Sequence, residues 1–243
     1  MALAGPIVGS KAETSRTNRE LKLRGAASAA PASSGTEADM RDLPPEFRDQ
    51  LLRERREAKA AADTFVRIYK DGRADDVKTA ALWLDETIGG WRLAIIKIGR
   101  LKCVTPEVQD AFVTEWITRK HVALKVGDRP ACAAALRVLM PGGYSIPPLT
   151  LYRGTHEGER KRRLYSFSWT TDVSVARQFA QRHAEAAIGS VAGIVLRTLA
   201  PPQAVLLIRQ PEGTGFDESE IVVDPYRLGR VIVQERLPLT NTR

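Results

Sequence analysis

Apolar and polar positions follow two different rhythms along this chain, and the change falls near residue 145. Before it, apolar residues recur every three or four positions, the spacing that places side chains on one face of a helix. The stretch "PPEFRDQLLRERREAKAAADTFVRIY" is rich in helix formers and ends in Phe65, Val66 and Tyr69, a cluster suited to seating a helix on a core. In "DDVKTAALWLDETIGG", Val77, Ala80, Ala81, Leu84 and Ile88 keep helical spacing, and Gly89-Gly90 supplies a stop. "TPEVQDAFVTEWITRKHVALK" predicts a further helix with Thr105 as N-cap, Pro106 in the first turn, and Val108, Phe112 and Trp116 on one face. "PACAAALRVLMP" predicts a shorter one that stops at Pro141-Gly142-Gly143.

After Pro148 the rhythm becomes that of strands. "LTLYRG", "RLYSFSW", "GIVLRTL", "AVLLIR", "EIVVD" and "RVIVQERL" are short runs of Val, Ile, Leu and aromatics separated by Gly and Pro. One helix sits among them, "DVSVARQFAQRHAEAAI", with Thr171 or Asp172 as N-cap and Ala176, Phe179, Ala180 and His183 on one face. The expected class is α+β: a helical N-terminal portion packed on a mostly antiparallel β core. The division predicted is a leader over 1–42, a helical portion over 43–147 and a β-rich core over 148–243. The leader contains "AASAAPASSGTEAD", without aromatic residues or periodicity, and reads as disordered.

Composition narrows the field of functions. At 243 residues, 43% hydrophobic and 27% charged, the chain has the make-up of a globular protein. No apolar run approaches the roughly 18 residues a membrane span needs, and "LAIIKIG" is interrupted by Lys97. "MALAGPIVGSK" lacks the basic and apolar regions of a Sec signal peptide, so the expected location is the cytoplasm, or another cell reached without such a signal. Two cysteines, Cys103 and Cys132, imply no disulfide framework. A net charge of +8 permits contact with nucleic acid, anionic lipid or an acidic protein, but no nucleic-acid motif accompanies it, so a solvated basic surface is the favoured reading. His121, His156 and His183 have no metal-ligand spacing with each other or the cysteines, and no metal is expected.

Three pieces at strand ends carry candidate chemistry: Arg153 in "LYRG", Ser168 in "SFSWTTD", and Glu218 and Glu220 in "GFDESEIVVD". In that order the set resembles the arginine-serine-glutamate class of mono-ADP-ribosyltransferases, found among bacterial toxins, effectors and phage enzymes. The resemblance covers roughly residues 149 to 236 and implies that family's β core, with NAD as co-substrate and no metal. The family's Ser-Thr-Ser is replaced here by Ser168-Trp169-Thr170. Alternate residues of a strand share a face, so Ser168 and Thr170 can point together while Trp169 points away.

Breaking the bond between nicotinamide and ribose develops positive charge on the sugar, which a carboxylate at Glu220 would stabilise. The fork of Arg153, with Gly154 beside it, would hold phosphate or ribose oxygens of NAD. Ser168 would orient the carboxylate and hydrogen-bond the ribose, with Thr170 in support. The resemblance assigns Glu218 to orienting or deprotonating an incoming arginine side chain, so the acceptor expected is arginine on a target protein, with NAD hydrolysis, in which water is the acceptor, as a close variant. The chain is expected to be a monomer. The run "ERKRR", 159–163, reads as a solvated loop, with contact to NAD phosphates, an acidic protein or RNA as the functional alternative. Two other classes remain: a catalytically silent module of the same fold, and a basic nucleic-acid-binding protein, which steeply salt-dependent binding would reveal.

Overall fold

The computed structural model describes residues 43–119, 121–186, 192–209 and 220–237. The predicted leader and Glu218 lie outside them. The class is α+β, a run of helices followed by a six-stranded antiparallel sheet. The helices are α1 (Pro45–Lys70), α2 (Val77–Glu86), α3 (Gly90–Ile98), α4 (Pro106–Thr118), α5 (Val122–Val126) and α6 (Arg129–Leu139); α7 (Glu157–Arg162) and α8 (Val173–Ala186) lie among the strands. The strands are β1 (Leu149–His156), β2 (Ser168–Thr170), β3 (Gly193–Ala200), β4 (Val205–Ile208), β5 (Glu220–Val223) and β6 (Ile232–Arg236), in the order β4-β5-β2-β1-β3-β6.

Periodicity explains the helical half. Phe65, Val66 and Tyr69 of α1, Val77, Ala80, Ala81 and Leu84 of α2, and Val108, Phe112 and Trp116 of α4 are all buried in one cluster. Burial of each large side chain contributes about 1.5–3 kcal/mol, and aromatic edges meeting faces tighten the packing. Phe65 meets Trp91 edge-on with ring centroids 5.5 Å apart. The same cluster takes in Phe167, Leu206, Leu207 and Val222 from the strand half, so helices and sheet share a core. A polar tie reinforces it: Arg137 of α6 donates to the fully buried Asp224 that follows β5, at 2.7 Å.

Four local expectations need correction. Ile88 does not extend the apolar face of α2; it is 77% exposed, because the helix ends at Glu86 and Thr87 turns extended. Gly89, with φ of 80°, then leads straight into α3. The helix expected over "TPEVQDAFVTEWITRKHVALK" begins as expected, with Thr105 at the N-cap position of α4 and Pro106 behind it, but it stops at Thr118, and α5 is a separate element. The run "RLYSFSW" becomes strand only at its last two residues, Ser168 and Trp169, where β2 begins, and at its start Arg163 adopts a left-handed φ of 52° that closes α7. The "ERKRR" segment is accordingly not a solvated loop but largely the end of that helix.

One sheet face carries α8, and the contact depends on glycine. A Cβ on Gly154 would lie 1.9 Å from the Ala176 carbonyl oxygen, and one on Gly193 would lie 2.4 Å from that of Ala180. Backbone against backbone at this distance admits no side chain. The opposite face is covered by a second cluster built on Leu151, Trp169, Ile194, Leu196 and Ile221. Among the described residues, no helix is long and apolar enough to cross a membrane.

Candidate active site

Register brings the site together. Tyr152 pairs with Thr170 and Thr170 with Glu220, so these three form a row across β1, β2 and β5; Ser168, two residues before Thr170, pairs with Val222 on the same face. Ser168 and Glu220 therefore project to one side, and the Ser168 hydroxyl donates to Glu220 Oε1 at 2.5 Å. Among the described residues that hydroxyl is the only hydrogen-bond partner of the carboxylate. Trp169 points the other way, buried among Leu151 and Ile221, with its indole N–H donating to the Ser166 carbonyl at 3.0 Å. Thr170 Oγ1 accepts from the Asp172 amide at 3.0 Å, and Asp172 Oδ1 accepts from Ser174 N at 2.7 Å, which makes Asp172 the cap of α8.

Arg153 arrives by a less direct route. Its strand position lies between Tyr152 and Gly154, so alternation assigns it to the opposite face. Pairing between β1 and β2 is confined to Tyr152 and Thr170, however, and beyond that pair Arg153 Nη1 donates to the Ser168 carbonyl at 2.8 Å. The guanidinium thus occupies the place where the next ladder bond between the strands would run. Its Nε and Nη2 are engaged by the two oxygens of Glu159, at 3.2 and 3.4 Å.

These residues open onto a cleft of about 810 Å³, its open mouth included. Arg153, Gly154, Ser168, Thr170 and Glu220 all line it, so the described members of the candidate set converge. Its other walls combine Tyr152, Val175 and Phe179 with Trp116, Ile117 and Arg119 from the C-terminal end of α4. Gly154 contributes backbone to the wall while its missing side chain is what admits α8. His183 also lines the cleft. Partial burial and the positive charge of Arg153 hold its imidazole below the ordinary range, with Glu159 opposing and His156 adding to the effect.

Arg119 does not stand out in the sequence, and Glu159 does so only as one member of the basic run 159–163; the physical reason differs for each. Trp116 marks the buried face of α4, but nothing in a periodic pattern says that the end of that face meets a sheet. Glu159 sits in a basic run on a six-residue helix, too short for periodicity to show which residue turns inward. Arg119 donates to Glu115 at 2.6 Å and to Asp85, which also accepts from Trp91 at 2.9 Å, Lys125 at 2.8 Å and His121 at 3.0 Å. Burial alone would raise the Asp85 carboxyl, but the hydrogen bonds from Lys125, His121 and Trp91, with the Lys125 charge, carry it well below the usual carboxylate range.

Chemically, the cleft offers one carboxylate fixed by a neutral donor, two clamped arginines and aromatic walls. Among the described residues no group of three or more His, Cys, Asp or Glu side chains is placed to hold a metal ion. Comparison with protein-family models, with curated proteins and with solved structures finds no match.

Proposed function

We propose that this chain is an NAD-dependent mono-ADP-ribosyltransferase acting on a protein, with arginine as the acceptor. The observation that carries the reading is the Ser168–Glu220 hydrogen bond on the cleft face, in the serine–carboxylate relation that the sequence resemblance implies. The fold of that family belongs to the same proposal. The residues present fit NAD in charge as well as in kind. Both arginines in the wall are already paired with carboxylates, so Glu220 leaves the cleft receptive to a cationic aromatic ring such as nicotinamide, for which Tyr152, Trp116 and Phe179 supply apolar surface.

In the proposed reaction the bond from ribose C1′ to the nicotinamide nitrogen breaks and its electron pair leaves with nicotinamide. A guanidinium nitrogen of the acceptor bonds to C1′ and gives up a proton. Glu220 stabilises the positive charge that develops on the ribose, and the Ser168 hydroxyl fixes the direction of its carboxylate. Arg153 presents its remaining N–H groups to substrate oxygens. Proton removal from the acceptor is the part assigned to Glu218 on the resemblance alone.

The test is incubation of the purified protein with NAD labelled in its adenylate half, alone and with a cell lysate, followed by measurement of free nicotinamide and of label on protein. Release of nicotinamide together with labelled protein is expected, and transfer to arginine is recognised by mass spectrometry that locates the label on an arginine side chain. Absence of NAD binding in calorimetry, with no nicotinamide released, would overturn the reading in favour of a silent module.

A further inference from the structure

We propose that Glu159 is a positioning residue for Arg153, resting on the reading of the cleft as an NAD site. Four donors converge on this one carboxylate: Arg153 Nε at 3.2 Å, Arg153 Nη2 at 3.4 Å, the Ser166 amide at 3.0 Å and the Thr155 hydroxyl. The donors come from β1 and from the segment entering β2, and Glu159 itself belongs to α7, so the carboxylate ties these pieces of chain together beyond the single ladder pair, Tyr152 with Thr170, that joins β1 to β2. Its side chain is only 12% exposed, against 15% for Arg153. A buried carboxylate is retained where its partners are fixed, and here every oxygen has at least two.

The consequence lies in what remains of the arginine. A guanidinium has five N–H donors in a rigid plane. Glu159 takes two along the Nε edge and the Ser168 carbonyl takes one, which leaves two without a partner among the described residues, on a group lining the cleft. Glu159 therefore sets the plane of the guanidinium and offers its far end to substrate oxygens. Lysine in place of Arg153 has no edge for Glu159 to grip. α7 follows β1 directly, so its short length holds Glu159 against Arg153 while Arg160, Lys161 and Arg162 project outward.

Glu159→Gln keeps shape and removes charge. With NAD as the probe, the KM for nicotinamide release is expected to rise about 10- to 100-fold while kcat stays within about threefold, because the grip affects ground and transition states alike. In the Arg153→Lys background the same substitution should add almost nothing, since its effect runs through the guanidinium. Additive losses, or an unchanged KM, would overturn the proposal. A second readout is independent of turnover: in ¹⁵N NMR the Arg153 Nε–H should be slowly exchanging in the native protein, stay so on addition of NAD, and exchange fast in Glu159→Gln. Loss of this protection on adding NAD would show that substrate takes the fork from Glu159, and would also overturn it. If the native protein neither binds nor cleaves NAD, the functional reading fails while the resonance still decides the role of Glu159. Thr155→Val, which removes one donor without changing charge, should move the resonance and KM in the same direction by less, and no movement counts against the proposal.

Discussion

On the helical wall of the cleft Arg119 divides its guanidinium between Glu115 and Asp85, and Asp85 in turn accepts from Trp91, Lys125 and His121. On the strand wall the corresponding acid, Glu220, has one neutral hydroxyl as its partner among the described residues. The difference is one of charge already used. Asp85 is surrounded by cations, so its charge is spent within the fold and its loss should be felt there. Glu220 keeps its charge available to a ligand, so its loss should be felt in chemistry.

The largest effect expected is on the strand wall. Glu220→Gln should lower nicotinamide release by about 10²–10³-fold, the usual loss when an electrostatic stabiliser aimed at a developing charge is removed. Stability in urea should change by no more than about 0.5 kcal/mol, since no cation is left uncompensated. A variant that lost stability in proportion to activity would break the contrast between the walls.

Next comes the strand wall's backbone. Gly154→Ala places a methyl group 1.9 Å from the Ala176 carbonyl and 2.4 Å from the Ala180 amide, so α8 must shift bodily. A loss of about 3 kcal/mol or more in urea unfolding is expected, above the usual range for an overpacked core because both contacts are backbone. A variant of native stability that had lost only NAD binding would return Gly154 to a purely ligand-binding role.

The helical wall should answer in stability and in its pH dependence. Asp85→Asn keeps an acceptor for Trp91 but leaves Arg119 and Lys125 short of a counter-charge, and about 2–3 kcal/mol should be lost near neutral pH. Because the folded protein holds the Asp85 carboxyl below its unfolded value of about 3.9, its contribution is present in full above that value and fades as pH falls through and below it. Glu159, which its arginine holds low against the opposing effect of burial, fades in the same acid range. Urea midpoints should therefore stay level above about pH 5 and fall below about pH 4, less steeply in Asp85→Asn. Parallel acid slopes would show that Asp85 is not the charge responsible.

How much of this was legible in the chain follows from the range of each signal. Val77, Ala80, Ala81 and Leu84 announced a helix because a face repeats within ten residues; Ile88 misled because spacing alone cannot show that Thr87 has already turned. Ser168, Thr170 and Glu220 could be named from strand ends and resemblance, and alternation foretold that Trp169 would face away. Arg153 with Glu159 could not be read, since it depends on β1 and β2 parting after a single pair and on a short helix turning one acid inward among basic neighbours. Arg119 depends on how the end of α4 meets the sheet, which is a property of packing between halves.

The smallest expected effect tests the alternation itself. Trp169 replaces the middle threonine of the pattern the sequence resembles, directly between Ser168 and Thr170, and a bulky indole there would obstruct a ligand if it shared their face. Instead it lies in the core on the far side of the sheet, where its N–H satisfies the Ser166 carbonyl at 3.0 Å. Trp169→Phe keeps most of the apolar surface and the aromatic contact with Tyr165 but leaves that carbonyl without its donor, so about 1 kcal/mol of stability should go. Nicotinamide release should stay within about twofold. Ser168→Ala, one position away on the other face, should do the reverse: little change in urea unfolding, and a fall in turnover of about tenfold as the Glu220 carboxylate loses the hydroxyl that aims it. If Trp169→Phe changed the rate more than the stability, the indole would have to reach the cleft, and the two faces of β2 would not divide scaffold from chemistry as the register implies.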